Sequence, residues 1–238
     1  MRAVIIGASG GIGRALVDQL SHRDELTALH AFSRKLIAVQ SSKVITRRLD
    51  LLDEDSIAAA AQSVAAAGSP DLVFVASGIL SDAAGLKPEK SLRQQTPDAF
   101  RKVFEINTFG PALVAKHFIP LMPRSGRAVF AALSARVGSI SDNRMGGWHA
   151  YRASKAALNM LIRNYAIEQA RRNPDFVAVS LHPGTVDTGL SKPFQSGVPD
   201  TQLFTADRSA AYLLGVIDQL TADDSGKAFD WAGKEIPA

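Results

Sequence analysis

The stretch that most limits what this chain can become is its beginning. Ala3-Val4-Ile5-Ile6 is a short apolar run rich in β-branched residues, the composition of a strand buried on both faces. It leads directly into Gly7-Ala8-Ser9-Gly10-Gly11-Ile12-Gly13 and then into Arg14-Ala15-Leu16-Val17-Asp18-Gln19-Leu20, whose apolar spacing is helical. Glycines allow the tight turn and let backbone approach a pyrophosphate, and the helix N-terminus offers unpaired N–H groups and a favourable dipole. The spacing is G-x-x-x-G-x-G rather than G-x-G-x-x-G, but strand, glycine turn and helix follow in the order a dinucleotide site needs. Gly7, Ser9, Gly11, Ile12 and Gly13 are therefore candidate cofactor-binding residues.

The same alternation continues along the chain. Apolar, β-branched runs predict further strands at 26–32, 44–49, 71–76, 127–133, 176–181 and 227–231. Between them lie helical patterns. One follows Asp53 as N-cap and runs to about residue 67, ended by Gly68-Ser69-Pro70. Another opens at Thr96 with Pro97 in its first turn and meets a disturbance at Asn107-Thr108-Phe109-Gly110-Pro111, after which a second helix runs to residue 122. Long helices are also expected at 149–172, where Arg171-Arg172 suits the negative end of the dipole, and at 206–220. Residues 34–43 leave room only for a loop or a short turn. This pattern predicts an α/β chain: a single doubly wound Rossmann-type domain over 1–238, with a mostly parallel seven-stranded sheet and helices on both faces. Its length, 238 residues, suits one such unit.

Ligands in such sheets bind outside the carboxyl ends of the strands. Ser33, Arg34, Asp50, Gly78, Ser134 and Pro183 all fall there by this reading. At the end of the second strand an acid would bind a ribose 2′-hydroxyl, whereas an arginine suits a 2′-phosphate. Arg34 stands there and no acid does, so NADP is expected over NAD. Asp50 stands at a strand's carboxyl end, either to meet an adenine amino group or as a turn residue.

Chemistry enters with Tyr151-Arg152-Ala153-Ser154-Lys155. Residues four apart share a helix face, so Tyr151 and Lys155 can enter one cleft. A free phenol titrates near 10 and is a poor acid-base catalyst at neutral pH, and an ammonium one turn away favours the phenolate. The pair is thus expected to exchange a proton near neutrality.

Composition removes other classes. With no cysteine there is no disulfide, thiolate metal site or cysteine nucleophile. His22, His30, His117, His149 and His182 lack ligand spacing, so no metal site is expected. The 27 basic and 23 acidic residues are scattered, the basic ones clustering only in pairs such as Arg34-Lys35 and Arg47-Arg48, so no nucleic-acid partner is expected. The opening apolar run is too short for a secretory signal or membrane span, and a cytoplasmic protein without membrane contact is expected.

Taken together, Gly7-x-x-x-Gly11-x-Gly13, Asn107, Ser134, Tyr151-x-x-x-Lys155 and Pro183-Gly184 resemble the short-chain dehydrogenase/reductase superfamily over nearly the whole chain. The stretch 134–159, with Gly138-Ser139-Ile140 and Asp142-Asn143, and the ending Gly233-Lys234-Glu235-Ile236-Pro237 resemble its C-factor-like and sniffer-like carbonyl reductases. The resemblance implies Tyr151 as general acid or base, Lys155 beside it bonding the nicotinamide ribose, Ser134 on the substrate oxygen and Asn107 holding a water in a proton relay. It further implies Gly7, Gly11 and Gly13 at the pyrophosphate, Asp50 and Leu51 at adenine, and Pro183, Gly184 and Thr188 at the nicotinamide. It implies a small carbonyl or alcohol substrate chosen by a flap at 79–95, a loop at 139–149 and a lid at 185–205, and a homo-oligomer joined through helices 97–122 and 149–172. Three departures stand out. Ile6 replaces the usual threonine, and Val75-Ala76-Ser77-Gly78 replaces Asn-Asn-Ala-Gly. Ser134 lies four residues before Gly138, where three is usual and Ala135 stands; a one-residue insertion after Ser134 accounts for this, with Ser139 the weaker substitute. A second reading is a dinucleotide-binding sensor or cell-signalling protein acting mainly through protein contacts.

Overall fold

In the computed structural model, which describes residues 1–238 apart from the side chain of Asp200, the opening run forms β1 (Arg2–Ile6). Side chains alternate across a strand, and here both faces are covered. Ala3 and Ile5 join one apolar core, while Val4 and Ile6 join the other. β1 pairs in parallel with β2 (Ala28–Ser33). The remaining strands are β3 (Val44–Arg48), β4 (Leu72–Val75), β5 (Ala128–Leu133), β6 (Phe176–His182), β7 (Thr185–Val186), β8 (Leu203–Phe204), β9 (Ala228–Asp230) and β10 (Glu235–Ile236). The main sheet has eight strands in the order β10-β9-β6-β5-β4-β1-β2-β3.

Seven of these strands run parallel, as the alternation predicts. The eighth, β10, is antiparallel to β9 and was not expected. Only Glu235 and Ile236 pair, too short a run to carry periodicity, and their position is fixed by the turn before them. Asp230 accepts from the N–H groups of Ala232 and Lys234, each at 3.0 Å, and folds the chain back on itself. β7 and β8 form a separate parallel pair that ties together the two ends of the expected lid.

The helices are α1 (Gly11–Ser21), α2 (Glu54–Ala65), α3 (Pro97–Phe104), α4 (Gly110–Phe118), α5 (His149–Ala170) and α6 (Ala206–Gln219); α3 packs on α5 and the others cover the sheet. On one face α1 and α6 place Leu16, Leu20, Leu213 and Ile217 against Ile5 and Phe74. On the other, α2, α4 and α5 place Ile57, Phe118, Leu158 and Ile162 against Val4 and Phe130. Fully burying such a side chain stabilises the fold by about 1.5–3 kcal/mol, so these two layers fix the helix positions. The expected caps are in place: Asp53 accepts from Asp55 and Ser56, and Thr96 from Ala99. Residues 34–43 contain no helix, as expected for so short a crossover. The disturbance expected around Asn107 is a π turn, Glu105–Phe109, between α3 and α4.

Candidate active site

The strand ends and the segment after β6 enclose a cavity of about 900 Å³. Tyr151 and Lys155 reach it from the first turns of α5, and both are buried, at 8% and 2% exposure. Burial pushes the Tyr151 phenol up to about 12 and pulls the Lys155 ammonium down to about 7. This corrects the expectation that Lys155 lowers the phenol. Desolvation disfavours both charged forms and is the cause of each shift. Lys155 Nζ also turns to the Leu133 carbonyl, to which it donates at 2.7 Å, and lies 5.9 Å from the centre of the Tyr151 ring. The group that titrates near neutrality is therefore the lysine, and the phenol stays protonated.

Asn107 sits in the π turn and is fully buried. Its amide accepts from Ile79 N–H at 2.8 Å and donates to Ile79 C=O at 2.9 Å, which fastens the start of the flap. It also donates to Ser154 Oγ at 3.2 Å. Ser154 donates to the Tyr151 carbonyl at 2.7 Å, and Thr108 donates to the Ser154 carbonyl at 2.9 Å. These bonds lock α5 to the π turn. Gly78 lies between Asn107 and Lys155: a β-carbon there would stand 3.5 Å from Asn107 Oδ1 and 3.7 Å from Lys155 Nζ. Gly138 is required by close approach, because its β-carbon would lie 2.7 Å from that of Lys155.

Ser134 lines the cavity at the end of β5, and so does Ala135. The Ser134 hydroxyl donates to Asn159 Oδ1 on α5 at 2.8 Å, so its proton is already engaged. Ser139 is buried and accepts from Asp142 N–H at 3.0 Å. It does not line the cavity.

At the other end of the cavity lies the glycine turn. Gly10 is the extended N-cap of α1, no side chain caps it, and the first turn holds no acid. A β-carbon on Gly13 would lie 2.2 Å from Gly7 O, and one on Gly11 would lie 2.6 Å from Thr188 Cγ2. The cradle is therefore bare backbone with open N–H donors, which fits a pyrophosphate. Gly11, Ile12, Gly78, Pro183, Gly184 and Thr188 line the cavity with it. Ser9 is exposed at the turn. Ser33, Arg34, Asp50 and Leu51 lie beyond the cavity at the ends of β2 and β3. Ser33 Oγ donates to Lys35 C=O at 2.6 Å, and Arg34 is exposed and makes no salt bridge among the described residues. Asp50 accepts from Leu52 N–H at 3.0 Å, and Leu51 packs beside Gly110.

Three features were missed in the sequence. Glu89, in the flap, is 3% exposed and accepts from Ala150 N–H at the start of α5. Trp148 meets both Tyr151 and Phe194 of the lid segment. The His182 imidazole lines the cavity, and burial pulls it down to about 4, so it is neutral. Only Trp148 carried a signal, an aromatic directly after two glycines.

The family model described as short chain dehydrogenase matches residues 1–198. A 1-hydroxy-2-glutathionyl-2-methyl-3-butene dehydrogenase from Rhodococcus sp. is 32% identical over 227 residues, 94% of this chain and 93% of its own. The C-signal protein of Myxococcus xanthus is 39% identical over 136 residues, 57% of this chain and 76% of its own. Among solved structures, the NADPH-bound carbonyl reductase from chicken fatty liver superposes with a TM-score of 0.85 at 26% identity, covering 100% of this chain and 99% of its own. The glycine turn, the buried Tyr151–Lys155 pair and these likenesses together mean that the chain belongs to the short-chain dehydrogenase family and is an oxidoreductase.

Proposed function

We propose that this chain is an NADP-preferring oxidoreductase that interconverts a carbonyl and an alcohol, with Tyr151 as the general acid or base. The observation that carries the reading is the burial of Tyr151 and Lys155 at one end of a cavity whose other end is a bare glycine cradle. Gly7, Ser9, Gly11, Ile12 and Gly13 would hold the pyrophosphate, Asp50 and Leu51 the adenine, and Gly78, Pro183, Gly184 and Thr188 the nicotinamide end. Ser33 and Arg34 would meet a 2′-phosphate, and the exposure of Arg34 supports this. The cofactor would supply the hydride.

The chain's own part is the proton. Tyr151, a neutral phenol, gives its proton to the carbonyl oxygen during reduction. Lys155, titrating near 7, returns one to it. Asn107 would hold the water of a proton relay behind Lys155, and its bonds to Ile79 and Ser154 keep the flap and α5 in register. Ser134 enters the reaction by releasing Asn159 for the substrate oxygen. The substrate is a small carbonyl or alcohol. The working unit is a homo-oligomer; exposed Phe109, Met160 and Ile167 near the π turn and on α5 support an interface there. The likeness to C-signal favours one second reading, a signalling protein that binds a dinucleotide and acts through protein contacts.

Titration of the protein with NADPH and NADH, followed by fluorescence, tests the cofactor assignment. NADPH is expected to bind more tightly, and Arg34→Ala to remove most of that preference. Tyr151→Phe is expected to bind NADPH normally and to lose roughly 10²-fold or more in turnover. Biological activity that survives in Tyr151→Phe with cofactor binding intact favours the signalling reading.

A further inference from the structure

Two aromatic side chains of the cavity take no part in the proton chemistry. Trp148 is the one non-glycine residue with positive φ among the described residues, at φ 50° and ψ 44°. It follows Gly146 at φ 63° and Gly147 at φ 66°, so three successive left-handed residues lead into α5. For a bulky L-residue this conformation is strained, and it persists only where the surroundings hold it. Here the Trp148 N–H donates to Glu89 C=O at 2.5 Å. Its ring stands edge-on to Tyr151, 6.3 Å between centres and 75° between planes. The same ring lies 5.4 Å from that of Phe194 at 58°.

Phe194 belongs to the lid segment, in the short turn Lys192–Phe194, between the paired strands β7 and β8. Trp148 therefore bridges the helix that carries Tyr151 and the segment that closes over it. Both rings line the cavity, together with the apolar side chains of Leu80, Val137, Leu190 and Val198. A ring held in a strained backbone, touching the reacting tyrosine and the lid, is a rigid apolar surface at the place where a substituent of the substrate must lie. Such surfaces favour planar partners in offset or edge-to-face contact.

We propose that Trp148 and Phe194 determine substrate specificity, selecting carbonyl compounds whose substituent is flat and apolar and packs against these two rings beside Tyr151. The assignment rests on the reductase reading for its chemistry, but the binding surface it describes is tested separately.

The test compares 4-nitrobenzaldehyde with propanal as substrates for NADPH oxidation, in the native chain and in Trp148→Gly and Phe194→Ala. Glycine at 148 accepts positive φ, so the first variant adds no backbone strain to the turn. The ratio of kcat/KM for the aryl aldehyde over the aliphatic one is expected to fall roughly ten- to hundredfold in either variant, the scale of losing one apolar contact. The second readout is fluorescence. The chain has two tryptophans, so in Trp231→Phe the emission belongs to Trp148, and 4-nitrobenzyl alcohol is expected to quench it at saturable concentrations. Turnover with an unchanged ratio in both variants overturns the proposal and leaves the reductase reading standing. Saturable quenching without turnover of either aldehyde supports the aromatic surface and removes the reductase reading. The absence of both saturable quenching and a changed ratio overturns the proposal.

Discussion

Single residues divide here into what they are and what they are bonded to. Tyr151 and Lys155 stand out by type and spacing, and Asn107 and Ser134 through the family resemblance. Their partners were not. Lys155 donates to Leu133, which lies 22 positions away, and Ser134 donates to Asn159, 25 positions away. No local pattern encodes such pairs, since they arise only when β5 and α5 are packed together. The balance of effects on Tyr151 is likewise not written in the local sequence. Spacing supplies the ammonium, but the depth of burial, which decides the sign, comes from the fold. Ser134→Ala tests what the hydroxyl does. If Ser134 releases Asn159 for the substrate, kcat is expected to fall about tenfold or more with KM for NADPH unchanged, the scale of a lost hydrogen bond to a developing charge. Turnover within about twofold of the native chain would mean that Tyr151 alone holds the oxygen, with Ala135 in the usual serine register.

Elements were placed well where their signals are local. The caps Asp53 and Thr96 and the disturbed helix at Asn107 are one-turn features, readable because their physics acts within a few residues. α5 is the instructive exception. Its N-cap position holds Trp148, which makes no side-chain capping bond, so no capping residue announces the helix. The orphaned N–H of Ala150 is instead met by Glu89, 61 positions earlier, at 3.3 Å. Glu89 thereby joins the flap to the helix that carries Tyr151. Glu89→Ala is expected to destabilise the fold by about 0.5–2 kcal/mol, read as a lower midpoint in urea unfolding. Glu89→Gln keeps an acceptor and is expected to lose less. Equal midpoints for native and Ala chains would remove the capping role.

At the scale of the molecule, the doubly wound sheet has a consequence for pH. It buries Lys155 between β5 and α5, where its pKa falls from an ordinary 10.5 to about 7. Between those values the unfolded chain binds more protons than the folded one, so stability rises as pH increases. The urea midpoint is expected to be higher at pH 9 than at pH 7, and Lys155→Met to flatten the rise; an equally steep rise in the Met variant would show that other groups cause it. The sequence by itself determined the alternation of seven parallel strands with helices, the glycine cradle and the identity of the Tyr151–Lys155 pair. Periodicity, turn chemistry and spacing are short-range and survive in a linear string. Only the tertiary structure decided the antiparallel β10, the reach of Glu89 to α5, the engagement of Ser134 by Asn159, and the sign of each pKa shift. Those depend on which distant segments share an interior, and on how much water that interior excludes.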